Sequence, residues 1–464
     1  MAIIRDRDLT DDWNNNIPLS IIAGCIEEHR RGLYRLDMLE EYYLGRHKIL
    51  CRDLGGEDKG LPNNRLVANH AKYITDVAVG YVTGNPVKYA GEGMDEIQKA
   101  YDRIDIVSHD AELAKDLSMF GIGLELYFMT SDEKPYPKVT VIDPRNIFLV
   151  VDDSVEYKPL FGVHYYPKRD AKNQIIAWSI NVYTETQIIR YKAIDVNSQS
   201  YELIDQTPQY FKAVPIVEYW NNEEQQGDYE QQLSLIDAYN TLASDRVNDK
   251  EQFVDSILML SGASLGDDLE QQTEAIQLLK KHKILNMPID AVAQWLTKAL
   301  NEADTEVLRG ALKTDIHEFS MVPNLTDENF ASNASGVAMK YKLFGLEQLA
   351  KTKERYFIQG LRERLKLFAN ILGTQGKAIA DVSEVEITMN RSLPNNDVET
   401  ATMIAQLTDM VSNDTLISQL SFVKDAAEET KLVAEQKAED VRNTQEAFGM
   451  NFPKDGVNAD EPAQ

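Results

Sequence analysis

Apolar residues recur at helical spacing in two long stretches of the second half of the chain, with a short polar stretch between them. From Asn301 to about Ser320, Leu308, Leu312, Ile316 and Phe319 make one stripe. Glu302, Glu306, Arg309 and Lys313 make a second stripe that faces elsewhere. Val322-Pro323 ends this helix, because proline lacks a backbone donor and disfavours a helical residue before it. Residues 324–333, from Asn324 through Thr326, Asp327, Glu328, Asn329 and Ser332 to Asn333, are small, polar and without period, which predicts an exposed loop. Helical spacing returns from Ser335 to Leu372 through Val337, Tyr341, Phe344, Leu346, Leu349, Phe357, Leu361, Leu365, Phe368 and Leu372.

The flanks follow the same logic. Residues of about 18 to 53 predict helices, as do Asn64 to Thr83, ending at the turn Gly84-Asn-Pro86, and Glu96 to Asp116. Short β-rich runs then occupy 121–129, 138–142, 146–151, 160–166, 175–183, 187–191 and 216–220, separated by turn residues, which predicts an antiparallel meander. Asn221 to Asp228 reads as a polar linker, and helix follows to about Ile257. A compact α/β insert is expected between 257 and 300, with a helix over Leu269–Lys281, a strand over Lys283–Met287 and a further segment from Val292 to Leu300. Val385–Met389 reads as a strand. Asn396–Met410, Leu416–Val423 and Asp425–Phe448 read as helices, and Asn451–Gln464 as a disordered tail.

Composition narrows the field. At 464 residues with 43% hydrophobic and 27% charged content, the chain has the balance of a soluble globular protein, and no apolar run reaches the ~20 residues of a membrane span. The opening Met-Ala-Ile-Ile-Arg-Asp-Arg-Asp carries charge where a secretion signal needs an apolar core, so no export is expected. Cys25 and Cys51 have no metal-ligand spacing and read as two reduced thiols. The net charge of −27 argues against a surface that grips nucleic acid throughout, since such a surface neutralises many phosphates, but leaves room for one that lets DNA pass. The long helix departs from this balance: Lys340, Lys342, Lys351, Lys353, Arg355, Arg362, Arg364 and Lys366 stand against Glu347, Glu354 and Glu363. In so acidic a protein, pairing of that basic face with an acidic neighbouring subunit is favoured over DNA contact.

Two blocks carry a family resemblance. One is Val214-Pro-Ile-Val-Glu-Tyr-Trp-Asn-Asn222 with Gly227-Asp228, Leu235 to Asn240, Ser244 and Phe253. The other is Asn333 to Lys340 with Leu343 and Leu346-Glu-Gln-Leu349. Gly80-Tyr81, Gly84 to Tyr89 and Ile142 to Phe148 support them. In this order and spacing, from about Asn64 to Val423, the chain resembles the portal protein of tailed bacteriophages. The resemblance implies an α+β, predominantly helical fold with wing, stem, clip and crown regions in a ring, typically of twelve subunits. Residues 1–227 would be the wing, 228–257 and 301–320 the two stem helices, and 258–300 the clip. Residues 321–334 would be a tunnel loop, 335–372 a long wing helix, 373–395 a wing strand and turn, 396–450 the crown helices and 451–464 a tail. The implied partners are double-stranded DNA, a terminase motor, major capsid and scaffold proteins and a head–tail adaptor. The implied location is one capsid vertex of the virion, after assembly in the host cytoplasm.

Under that resemblance Asn324, Thr326, Asn329, Ser332 and Asn333 would trade water-like hydrogen bonds along passing DNA, while Asp327 and Glu328 repel phosphate. Residues alone read the same stretch as a solvated surface loop. Glu302, Glu306, Arg309 and Lys313 would face the channel, or else pair along the helix at i,i+3 and i,i+4. No catalysis, metal or cofactor is expected. No Gly-x-x-x-x-Gly-Lys-Ser/Thr or His-Glu-x-x-His occurs, and the seven histidines are scattered. Asp152-Asp153 and Asp267-Asp268 read as turn residues rather than nuclease ligands. The rival readings are another virion structural or adaptor protein and a metal-dependent nuclease.

Overall fold

In a computed structural model of the chain, the β-rich runs fold into two sheets and the helical stretches pack around them. The structure describes residues 2–7, 17–53, 62–198, 200–254, 257–261, 268–282, 290–296, 302–326, 336–377 and 381–391, and, further on, 402, 404–407, 411–417, 420, 423 and 429–437. Two compact units emerge, Met1–Ser392 and Leu393–Gln464.

In the first unit, β1 (Ile3–Arg5) precedes helices α1 (Leu19–Arg31) and α2 (Leu33–Tyr43), a 3-10 turn at Lys48–Cys51 and α3 (His70–Thr83). β2 (Lys88–Ala90) leads to α4 (Asp95–Ile104) and α5 (Ile106–Phe120). Eight strands follow: β3 (Ile122–Met129), β4 (Pro137–Ile142), β5 (Ile147–Asp152), β6 (Pro159–Arg169), β7 (Ile175–Tyr183), β8 (Gln187–Ala193), β9 (Glu202–Pro208) and β10 (Ile216–Trp220). Then come α6 (Leu233–Val254), β11 (Ile257–Ser261), α7 (Leu269–His282), β12 (Val292–Leu296) and α8 (Glu302–Phe319). α9 (Gly336–Lys342), α10 (Phe344–Thr374) and β13 (Glu386–Thr388) complete it. In the second unit, a helical 429–437 falls within the helix expected over Asp425–Phe448, whereas α11 (Asn413–Ile417) begins in the gap between the helices expected over 396–410 and 416–423.

The expected meander is present: β5 to β9 are antiparallel neighbours, and β1 adds a parallel strand beside β5. α1 covers one face of this six-stranded sheet, burying Ile22, Cys25 and Ile26 against Phe148, Phe161, Val163, Ile180 and Val182. Cys25 and Cys51 are both free thiols. The second sheet, in the order β10-β3-β4, packs against α5 and α10. α6 and α8 lie side by side, and β11 pairs antiparallel with β12 in the insert between them. Helix outweighs strand, 49% to 21%, in an α+β arrangement.

Three expectations need correction. The helix foreseen from Asn64 begins only at His70, where the Asn69 side chain accepts a hydrogen bond from the Lys72 amide. Upstream, alternate amides of Asn64, Leu66 and Ala68 donate to Asn248 Oδ1, Ser244 Oγ and Asn240 Oδ1, at 2.6, 2.9 and 2.8 Å. These side chains stand four residues apart on α6, and they replace the helical partners that the segment would otherwise use. The helix foreseen over 335–372 is two helices, interrupted at Leu343. The segment 221–228 is no solvated linker, because Asn221 and Asp228 are buried and hydrogen-bonded to each other. Within the insert, Val292–Leu296 is a strand, while the strand expected over Lys283–Met287 lies outside the described residues.

Candidate functional site

The helix pair α6–α8 and the chain that leaves α8 hold most of the residues singled out from the sequence. Arg246 of α6 reaches Glu306 of α8 at 2.6 Å, and Glu306 also pairs with Arg309 one turn on. These two arginines hold the Glu306 carboxyl down to about 2. Arg309 Nη1 donates to Tyr239 Oη of α6 at 2.8 Å. Glu306 and Arg309 are therefore engaged along α8 and across to α6, which is the pairing arrangement rather than an open cationic face. Lys313 is half-buried beside His70 and His317, and the side chain of Glu302 lies outside the described residues.

The apolar stripe of α8 divides. Ile316 is fully buried, whereas Val307, Leu308 and Phe319 are 72%, 51% and 63% exposed in the single chain. Just past the end of α8, Met321 takes a left-handed backbone conformation with φ 58°. The chain then turns back under three side chains. His317 Nδ1 lies 2.9 Å from the Val322 carbonyl, and Ser320 Oγ accepts from the Val322 amide. Tyr73 Oη, from α3, donates to the Pro323 carbonyl at 3.2 Å and accepts from the Leu325 amide at 2.8 Å. The rings stack edge to face: His317 with Tyr73 at 5.3 Å, His70 with His317 at 5.4 Å and His70 with Tyr239 at 5.0 Å. Burial first, then the nearby His317, Lys313 and His47, lowers the His70 imidazole to about 4. His317 is also lowered by burial. The sequence pattern did not single out Tyr73 and His70, whose helical spacing reads as ordinary core.

Of the loop residues expected to meet DNA, Asn324 and Thr326 are described, and Thr326 Oγ1 donates to Asn324 Oδ1 at 2.8 Å. Asp327, Glu328, Asn329, Ser332 and Asn333 lie outside the described residues.

α10 uses part of its basic face inside its own chain. Arg364, fully buried, pairs with Glu125 of β3 at 2.5 Å and Asp110 of α5 at 2.6 Å. Tyr127, Tyr219 and His109 complete the shell around Glu125. Burial opposes ionisation of Glu125, but Arg364 and His109 outweigh it and hold the carboxyl down to about 2. Asp110 is instead pushed up by burial despite Arg364. Lys353 pairs with buried Asp228 at 2.5 Å, and Ser118 and Asn221 donate to the same carboxylate. Two cations of the basic helix are thus neutralised inside their own chain rather than by a neighbouring subunit. Gly360 sits between them because the Tyr219 ring lies on the helix backbone, where an added Cβ would come within 2.2 Å of it.

The paired acids are structural where they are described. Asp152 accepts from the Ser154 and Lys158 amides, and Asp268 from the Gln271 amide at the start of α7. Among the described residues no three His, Cys, Asp or Glu side chains are grouped to hold a metal ion, and no helix is long and apolar enough to cross a membrane.

Comparison with known proteins places this geometry in context. Residues 22–443 match the family model described as phage portal protein, SPP1 Gp6-like. The portal protein of Clostridium phage phiCD119 is 24% identical over 423 residues, covering 86% of this chain and 91% of that one. The portal protein of Bacillus phage SPP1 is 22% identical over 390 residues, covering 81% and 76%.

Proposed function

The chain belongs to the phage portal protein family, SPP1 Gp6-like, and on that premise we propose how its residues serve a portal's work. As a portal protein it is a structural component of the phage capsid. The proposed assembly is a ring of about twelve copies at one vertex. Double-stranded DNA enters and leaves through it, a terminase motor docks during packaging, and a head–tail adaptor follows. The ring is assembled in the host cytoplasm together with capsid and scaffold proteins. The chain itself catalyses nothing, and the energy for packaging comes from the motor.

The observation that carries this reading is the family match across 22–443, which spans the whole order of helix, insert, helix, loop and long helix. In this reading α6 and α8 are the stem, the insert is the clip and the segment after α8 is the tunnel loop. The exposed Val307, Leu308 and Phe319 then have an occupant, since subunits packed side by side bury the part of the α8 stripe that one chain leaves open. The channel works by geometry and by its repulsion of phosphate. Charges of one sign sum around the ring, so an acidic wall keeps the backbone from sticking. The same self-repulsion opposes assembly and is offset by apolar contact and counter-ions.

Negative-stain microscopy with mass photometry, at low and moderate salt, tests the assembly. Rings of about a dozen subunits with a central hole, more abundant at moderate salt, are the expected result. Monomers at every salt, also in the presence of scaffold protein, would overturn it. Ring formation indifferent to ionic strength would remove the electrostatic part. The loop is tested by Asp327→Lys with Glu328→Lys, which leaves rings intact and slows packaging through phosphate retention. Packaging at the normal rate would end that account of the loop.

A further inference from the structure

The segment after α8 is tied down by two different elements, and the outermost described tie does not come from α8. The side chains of His317, in the last turn of α8, and Ser320, just past it, reach only as far as Val322. Beyond it, Pro323 and Leu325 are both bonded to a single phenol, Tyr73 of α3. That oxygen donates to one side of Asn324 and accepts from the other, so both of its capacities are used on the same short stretch. Pro323 has no amide of its own, so it can be held through its backbone only by its carbonyl, the group that Tyr73 takes. The Tyr73 ring is in turn braced edge-on by His317, and His317 by His70 from the first turn of α3.

We infer that Tyr73 is a positioning residue: braced by His317 and His70, it roots the loop on α3, so that the loop's departure direction follows α3 rather than the stem helix it leaves. This deepens the tunnel-loop reading and rests on it for its functional meaning. Under that reading α3 belongs to the wing, and a tilt of the stem helix would leave the loop root in register with the wing. Burial, which lowers both imidazoles, suits the role. Lys313 stands beside both rings and His47 also acts on His70, while Arg309, itself paired with Glu306, holds the Tyr239 hydroxyl at the far side of the cluster.

Hydrogen exchange on the assembled full-length protein tests the root directly. Tyr73→Phe keeps the ring and its stacking and removes only the hydroxyl. The Leu325 amide should then exchange about tenfold faster, the weight of one partly buried hydrogen bond, with peptides from α3, α6 and the body of α8 unchanged. His317→Ala should loosen the same peptide, and His317→Gln, which retains an N–H donor, should restore protection in part. Unchanged exchange in Tyr73→Phe overturns the inference, as does a rescue variant no better protected than His317→Ala. Packaging by Tyr73→Phe rings provides a separate measurement. Faster exchange with slowed packaging supports both root and tunnel loop. Faster exchange with normal packaging keeps the root and overturns the tunnel-loop reading on which its function rests.

Discussion

Two sets of ion pairs hold this chain's helices, and they differ in what surrounds them. Around α10, Arg364 and Lys353 meet Glu125, Asp110 and Asp228 with almost no solvent on either partner. Between α6 and α8, Arg246, Glu306 and Arg309 meet with side chains 31–48% exposed. The pairing chemistry is the same, but its consequence is not. A buried charge without its partner has nowhere to go, so the α10 network dictates where the helix sits against both α5 and the β10-β3-β4 sheet. Solvated partners can exchange one another for water at little cost, so the α6–α8 pairs adjust. A helix pinned between a helix and a sheet and a helix pair at the surface thus use similar residues at different depths.

The largest expected effect attacks the buried side. Arg364→Met strands Glu125 and Asp110 and should cost about 3–5 kcal/mol in urea unfolding. Adding Glu125→Gln and Asp110→Asn should return part of it. A loss below about 1 kcal/mol would mean that depth does not separate the two systems. The next effect is acid titration. Burial holds His29, His70 and His164 down to about 4 from the usual 6.5. Their contribution is whole above pH 6.5, where both states are neutral. It is lost as pH falls toward 4, because the unfolded chain takes up protons that the folded chain refuses. Asp116, raised to about 7 chiefly by burial, works the other way and softens the decline. Glu125, held down to about 2, loses its contribution mainly below its ordinary 4.5, so unfolding midpoints that fall between pH 6.5 and about 5 report the histidines rather than Glu125. A flat profile would refute that assignment. The smallest effect belongs to the α6–α8 pairs: Glu306→Ala should leave the unfolding midpoint within error, and a clear drop would move these pairs into the structural class.

Much of the architecture was legible because it rests on period. Seven of the strands followed from alternating or continuous apolar runs, and α6, α8 and the start of the polar loop followed from helical spacing and Pro323. The misses have physical causes. β9, Glu-Leu-Ile-Asp-Gln-Thr-Pro, is an edge strand whose Leu203 and Ile204 are both exposed, so burial imposes no alternation on it. β1 has only three residues and takes its partner from a strand more than a hundred residues away. Leu66 and Val67 lie at helical spacing to Ile74, yet α6 supplies their segment with hydrogen bonds that no local pattern announces. The buried cations of α10 were invisible for a similar reason. A lysine or arginine in a helix reads as surface until the carboxylates that meet it, at positions 110, 125 and 228, are brought there by the fold. Of the candidate site, Arg309 and Glu306 were legible as a pair, whereas Tyr73 acts through contacts some 250 residues along the chain.

The three amides at 64, 66 and 68 against side chains at 240, 244 and 248 behave as a rack meshed with a pinion. Two residues of extended chain advance about 6.8 Å, and four of helix about 6.0 Å. Adjacent teeth mesh within about 0.8 Å, while a longer row would run out of step, so the engagement stops naturally at three. Slipping by one residue would turn the helix by about 100° and disengage every tooth at once. α6 is therefore indexed: it keeps one setting against the 62–69 segment or leaves it entirely, with no intermediate angle at which part of the mesh survives.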